Sequence, residues 1–163
     1  MNPLTPTIIP DDAADLRAAQ RRDPGAARFL AVCYFAGLRT AEAERLQEAD
    51  IRGGHVEVTA EKSKTRQRRL APVTPALAAF LSLGGTLPLE GCAKRIRAVK
   101  HAAGAASPRN VARHSFVSHR LAAVQSAAQV ALEAGHSEAV LFRHYREVVT
   151  PQAAAEFWAV RPA

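Results

Sequence analysis

Along most of this chain the apolar residues recur at helical spacing, and turn residues cut the pattern into short segments. Asp11 or Asp12 is placed to cap a helix running to about Arg22, which Asp23-Pro24-Gly25 then breaks. The run AARFLAVCYFAG is apolar nearly all round, which predicts a buried helix ending at Gly37. Thr40 is placed to cap a following helix, TAEAERLQEAD. Thr74-Pro75, a cap followed by proline at the first helical position, opens another that stops at Gly84-Gly85. CAKRIRAVKHAAG predicts a helix ending at Gly104, and Ser107-Pro108 opens one through about Val124. Ser126 starts a helix ending near Gly135, Ser137 caps the segment carrying Tyr145, and Thr150-Pro151 begins a last helix with Phe157 and Trp158.

Residues 51–72 depart from this rhythm. Ile51, Val56 and Val58 alternate with polar residues around Gly53-Gly54, a hairpin signal, and RQRRLAP supplies a third short strand after a polar turn at Glu61–Thr65. The predicted fold is mainly α (α+β): a helical domain with a small antiparallel sheet of two or three strands at about 51–72.

Composition agrees. The chain has 163 residues, enough for one domain with a core of its own, and 48% of them are hydrophobic, with abundant alanine. Cys33 and Cys92 lack metal-ligand spacing and read as reduced thiols of a cytoplasmic protein. The N-terminal stretch MNPLTPTIIPDD has no basic start and no long apolar run, so no signal peptide is expected. No run approaches membrane-spanning length, so no membrane partner is expected either.

Charge narrows the partner class. The net charge is +7, and it is unevenly placed. Residues 1–60 carry seven arginines against nine acids, a net of −2, while residues 61–163 carry fifteen Lys and Arg against six acids, a net of +9. Such a balance points to a polyanion, most often nucleic acid.

Four stretches carry candidate chemistry: FAGLRTAEAERL with Arg39 and Glu42, EKSKTRQRRLAP with Lys64, NVARHSF with Asn110, Arg113 and His114, and AGHSEAVLFRHY with His136 and Tyr145. Together, in this order, they resemble the catalytic domain of the tyrosine recombinase, or phage integrase, family, over a span from about Asp11 to Val148. The resemblance implies a DNA strand transferase in which a tyrosine oxygen attacks a phosphodiester, forms a 3′-phosphotyrosine and releases a 5′-hydroxyl. That chemistry needs cations and donors around the phosphate, and arginine suits it because its planar fork stays charged and donates paired bonds.

By that resemblance Tyr145 is the nucleophile, Arg39 and Arg113 are the two phosphate-binding arginines, and Glu42 holds Arg39. His136 donates to a non-bridging oxygen, and Lys64 is the general acid on the turn between two strands, with Lys62 its rival for that role. Asn110 stands where most members carry histidine. Its amide can hydrogen-bond but cannot take a proton, so water, His114 or the phosphate itself must accept the proton of Tyr145. His114 otherwise reads as structural. On the helix opened by Ser107-Pro108, Asn110 and Arg113, three residues apart, are expected to share a face.

The other expectations concern surfaces and scale. Lys62, Arg66, Arg68 and Arg69 read as a phosphate-contacting loop, and Lys94, Arg95, Arg97 and Lys100 as a second DNA-binding candidate. His55, His101, His119 and His144 are assigned to surface or packing. The partner expected is double-stranded DNA, with a homotetramer assembled on it, in the bacterial or phage nucleoid. No metal or cofactor is implied, since the carboxylates are scattered and the clamp is cationic. The expected organisation is a single catalytic domain over 1–163, without the N-terminal core-binding domain of the family. Phe157-Trp158 is open to docking in cis or in trans. A second function stays open: a catalytically inactive DNA-binding relic or regulator of the same fold.

Overall fold

The computed structural model describes residues 9–104, 110–145 and 149–163, without the side chains of residues 9–14, 144 and 145. Described helices are α1 (Ile9–Arg22), α2 (Pro24–Ala36), α3 (Thr40–Ala43), α4 (Pro75–Leu81), α5 (Cys92–Ala103), α6 (Val111–Val124), α7 (Ala127–Ala134), α8 (Glu138–Tyr145) and α9 (Pro151–Trp158). Three strands, β1 (Ile51–Arg52), β2 (His55–Val58) and β3 (Arg69–Pro72), form one antiparallel sheet in the order β1-β2-β3. Val56 faces Ile51 on one side and Ala71 on the other, and Val58 pairs with Arg69. The domain is therefore mainly helical with a small antiparallel sheet, as the patterning predicts.

The central helix is α2, and its lack of a polar face is explained by neighbours on every side: α1, α4, α5 and α6 all pack on it. Asp23 caps it, its Oδ1 accepting from Ala26 N at 3.1 Å, with Pro24 as the first helical residue. Gly37 ends it at φ +70, and the requirement for glycine is double there. A Cβ at Gly37 would meet the Phe116 ring at 2.4 Å, so this turn lets α6 lie directly against the end of α2.

Two apolar clusters result. The larger surrounds α2, where Phe35 stacks with Phe80 at 5.7 Å and meets Phe157 at 5.2 Å. The smaller joins α6, α7 and α8 through Phe116, Val117, Val130, Ala131, Ala134 and Leu141. Helix α9 packs where the two clusters meet. Its Trp158 contacts both Phe35 and Phe116, and its indole N–H donates to His119 O at 3.2 Å. The Phe157-Trp158 pair thus docks in cis, within its own chain. His119 is fully buried, stacks on Phe157 at 4.0 Å and donates from Nδ1 to Ser115 O at 2.7 Å, a packing role.

Several boundaries differ from the sequence reading. Helix α1 begins at Ile9, ahead of the aspartates expected to cap it. Helix α3 is one turn rather than eleven residues, and Arg39, not Thr40, occupies its N-cap position. The Glu42 carboxylate folds back to accept from Arg39 N at 2.9 Å, and the chain leaves the helix to form a 3-10 turn at Glu48–Asp50. Helix α6 starts at Val111, because Asn110 is left-handed (φ 62°, ψ 19°) and a right-handed helix cannot run through it. The face-sharing expected of Asn110 and Arg113 therefore does not apply, and Ser107-Pro108 lies outside the described residues. Both cysteines are free thiols, and burial pushes the Cys33 thiol up to about 12. No described helix is long and apolar enough to cross a membrane.

Candidate functional site

Four of the residues singled out in the sequence converge where α2, α3, α6 and α7 end or begin. Arg113, on the first turn of α6, is 5% exposed. Its Nη1 donates to Gly37 O at 2.6 Å and its Nη2 to Ala134 O at 2.5 Å. Both carbonyls lie at helix C-termini, where the unsatisfied backbone oxygens carry partial negative charge, so the buried guanidinium is stabilised there without needing a carboxylate.

His136 enters the same cluster because Gly135, left-handed at φ +69, ends α7 and turns the chain before α8. Arg113 Nη2 lies 3.2 Å from His136 Nε2. An arginine only donates, so Nε2 is the acceptor and the ring proton belongs on Nδ1. Burial, then the charges of Arg113 and Arg39, bring the imidazole pKa down to about 4, so it is neutral at ordinary pH.

Arg39 and Glu42 form the other half. Arg39 Nη1 donates to Glu42 Oε1 at 3.1 Å, and its side chain is 20% exposed. The carboxylate of Glu42 is almost fully buried and has a second partner that the sequence did not announce. Arg69, from β3, donates Nη1 to Oε1 at 2.9 Å and Nη2 to Oε2. Burial alone would raise the Glu42 pKa, but the hydrogen bonds and charge of Arg69, with those of Arg39, hold it down at about 2. Arg69 was expected on the DNA-facing loop. Its side chain is instead 5% exposed and committed to Glu42, so it is not a surface contact.

The loop between β2 and β3 separates the two candidate lysines. Lys62 Nζ pairs with Asp50 Oδ2 at 2.5 Å, and both side chains are largely covered. Lys64 is exposed and lines an open groove of about 480 Å³ with Arg45, Ala60, Glu61, Ser63 and Arg66. Arg45 went unremarked in the sequence, where it reads as one more polar residue of a helix. Arg68 is exposed but pairs with Glu57 at 2.5 Å, and that pairing with the one from Arg52 holds the Glu57 carboxyl below its usual range.

The second basic candidate, α5, is also divided. Arg95 donates Nε to Asp23 Oδ2 at 2.6 Å and Nη2 to Oδ1, tying α5 to the residue that caps α2, with its side chain still partly exposed. Lys94 and Arg97 are exposed, and Lys100 is partly covered.

Asn110, His114 and Tyr145 complete the set. Asn110 is exposed, makes no capping hydrogen bond, and shares a small cavity of about 60 Å³ with Thr40, Lys100 and Tyr34. His114 is exposed on α6, and its charge contributes to the lowering of the His136 pKa. Tyr145 is the last residue of α8, and its side chain lies outside the described residues. The side chain of His144 lies outside them too, while His55 and His101 are exposed. Among the described residues no three of His, Cys, Asp and Glu gather as a metal-binding set.

The architecture is similar to a solved structure, the catalytic domain of bacteriophage HP1 integrase. The TM-score is 0.68 and the identity 22%, with 83% of this chain and 83% of that one covered. The likeness is one of fold. No family model and no curated protein matches the chain.

Proposed function

We propose that the chain is the catalytic domain of a DNA strand transferase that cuts and rejoins duplex DNA through a 3′-phosphotyrosine on Tyr145. The observation that carries the reading is the meeting of Arg39, Glu42, Arg113 and His136 in one cationic cluster. They come from three separate stretches of sequence, in a fold that resembles an integrase catalytic domain.

In this reading a DNA phosphate lies against Arg39, whose Nε and Nη2 have no protein hydrogen bond among the described residues. Arg113 forms the floor of the site, and His136, kept neutral, donates a hydrogen bond from its Nδ1–H to a non-bridging oxygen. The Tyr145 oxygen attacks phosphorus, forming the Tyr–O–P bond as the P–O5′ bond breaks. The tyrosine proton passes to water, His114 or the phosphate, since Asn110 cannot accept it. Lys64 protonates the departing 5′ oxygen, a role supported by its exposure and by the pairing of Lys62 with Asp50. Attack by a 5′-hydroxyl on the phosphotyrosine reverses each step and reseals the strand. Assembly as a homotetramer on paired DNA sites, in a bacterial or phage cytoplasm, belongs to the same proposal.

A DNA substrate with a nick just beyond the cut site tests it, because the short 5′-hydroxyl fragment diffuses away and traps the covalent intermediate. A protein–DNA adduct that disappears in Tyr145→Phe supports strand transfer. Binding without any adduct favours the second reading, an inactive DNA-binding relic or regulator, which draws on the amide at Asn110.

A further inference from the structure

Arg69 sits where the segments carrying Arg39 and His136 meet. Through Glu42 it reaches the turn that holds Arg39. Its Cδ, Nη1 and Nε would lie 3.2, 3.4 and 3.5 Å from a Cβ at Gly135, the residue that hands the chain to His136. The same strand closes the loop that carries Lys64.

The hydrogen bonds around Glu42 are unequal. Arg69 engages both carboxylate oxygens, whereas the Arg39 side chain has a single bond, at 3.1 Å. A carboxylate with only one arginine neighbour is commonly gripped by both tines of the fork. If Arg69 were absent, the nearest cation able to satisfy the buried Glu42 charge would be Arg39. Its fork would then turn inward, and the side chain, now 20% exposed, would be withdrawn from the site.

We propose that Arg69 is a positioning residue for strand transfer: by occupying Glu42 it keeps the Arg39 guanidinium aimed out of the protein, and by packing on Gly135 it sets the start of the segment bearing His136. The inference rests on the strand-transfer reading above. The charge of Arg69 also contributes to keeping His136 neutral.

The test is single-turnover cleavage of the nicked substrate at saturating DNA, with the folded fraction of each variant followed by circular dichroism in the same buffer. Arg69→Met is expected to slow adduct formation about 100-fold per folded molecule, the scale of an ångström-sized misplacement, while DNA affinity changes little. Arg69→Lys, which keeps the charge but loses the fork, falls between. Combining Arg69→Met with Glu42→Gln removes the charge that would capture Arg39, and is expected to recover about tenfold of the lost rate, as one restored donor would. Wild-type cleavage with an unchanged rate in Arg69→Met overturns the positioning role alone. So does a loss that merely tracks the unfolded fraction, or a double variant no faster than Arg69→Met. No adduct from the wild type at all overturns the strand-transfer reading, and this one with it.

Discussion

Arg113 Nη2 stands 3.2 Å from His136 Nε2, and that contact puts the proton of the neutral ring on Nδ1. A proton on Nε2 would face a permanent cation across a hydrogen-bond distance, in a buried setting. Burial first, and then the charges of Arg113 and Arg39, bring the imidazole pKa down to about 4. Nuclear magnetic resonance titration of the ring is expected to show a neutral His136 down to that region. Arg113→Leu should move the midpoint upward, since one of the charges opposing protonation is gone. A midpoint near 6.5 in the wild type would contradict the described geometry.

Acid should weaken the fold through His119. Its Nδ1 donates to Ser115 O, its Nε2 is buried without a partner among the described residues, and its ring stacks on Phe157. Burial lowers its pKa from 6.5 to about 4. The unfolded chain therefore binds a proton below about 6.5 that the folded chain refuses until about 4. Stability is full above that window and declines as pH falls through it, by on the order of 3 kcal/mol from this residue. His136 adds to the loss in the same interval. Urea unfolding at pH 7 and pH 4.5 checks the prediction: His119→Leu should show a clearly smaller drop between the two than the wild type.

Gly37→Ala is expected to be severely destabilising. The backbone there is left-handed, which costs a residue with a Cβ about 1–2 kcal/mol. The added methyl would also lie 2.4 Å from a Phe116 ring carbon, and the ring is fully buried. Relief requires α6 to move off the end of α2, carrying Arg113 from Gly37 O. The expected total is about 3 kcal/mol or more, read as a fall in melting temperature of roughly 6–12 °C. A melting temperature within a degree of wild type would be inconsistent with the packing at this turn.

The two lysines of the β2–β3 loop should separate by function. Lys62→Ala removes the Asp50 partner, with a cost of about 1 kcal/mol for a pair this shielded and little effect on cleavage. Lys64→Ala should leave the melt unchanged and slow cleavage by roughly 10²–10⁴, the usual worth of a general acid. A substrate with sulfur in place of the 5′ bridging oxygen has a leaving group that needs no proton, so it should restore the Lys64→Ala rate to near that of the wild type. Failure of sulfur to rescue would remove Lys64 from the acid role.

The local features of the sequence carried far. The end of α2 at Gly37, of α5 at Gly104 and of α7 at Gly135 were all legible, because a left-handed glycine is a backbone requirement written in one residue. The caps at Thr74, Ser126 and Thr150 were legible for the same reason: each side-chain oxygen answers an amide three residues away. Where a competing conformation was equally local, the reading failed. Nothing in NVARHSF says that Asn110 turns left-handed, and nothing in TAEAERLQEAD says that the helix stops after one turn.

Charge was the least legible property. Arg69, Arg68 and Arg66 stand within four residues and look alike in sequence, yet one is buried, one is paired and one lines a groove. The partner of Arg69 is 27 residues away and that of Arg95 is 72 away, so no local pattern encodes either pairing. By itself the sequence determined the mainly helical fold with its small antiparallel sheet and named the candidates for phosphate chemistry, since those follow from periodicity and side-chain type. Which arginines face outward was decided only by the tertiary structure, because a buried carboxylate claims whichever cation the packing brings to it.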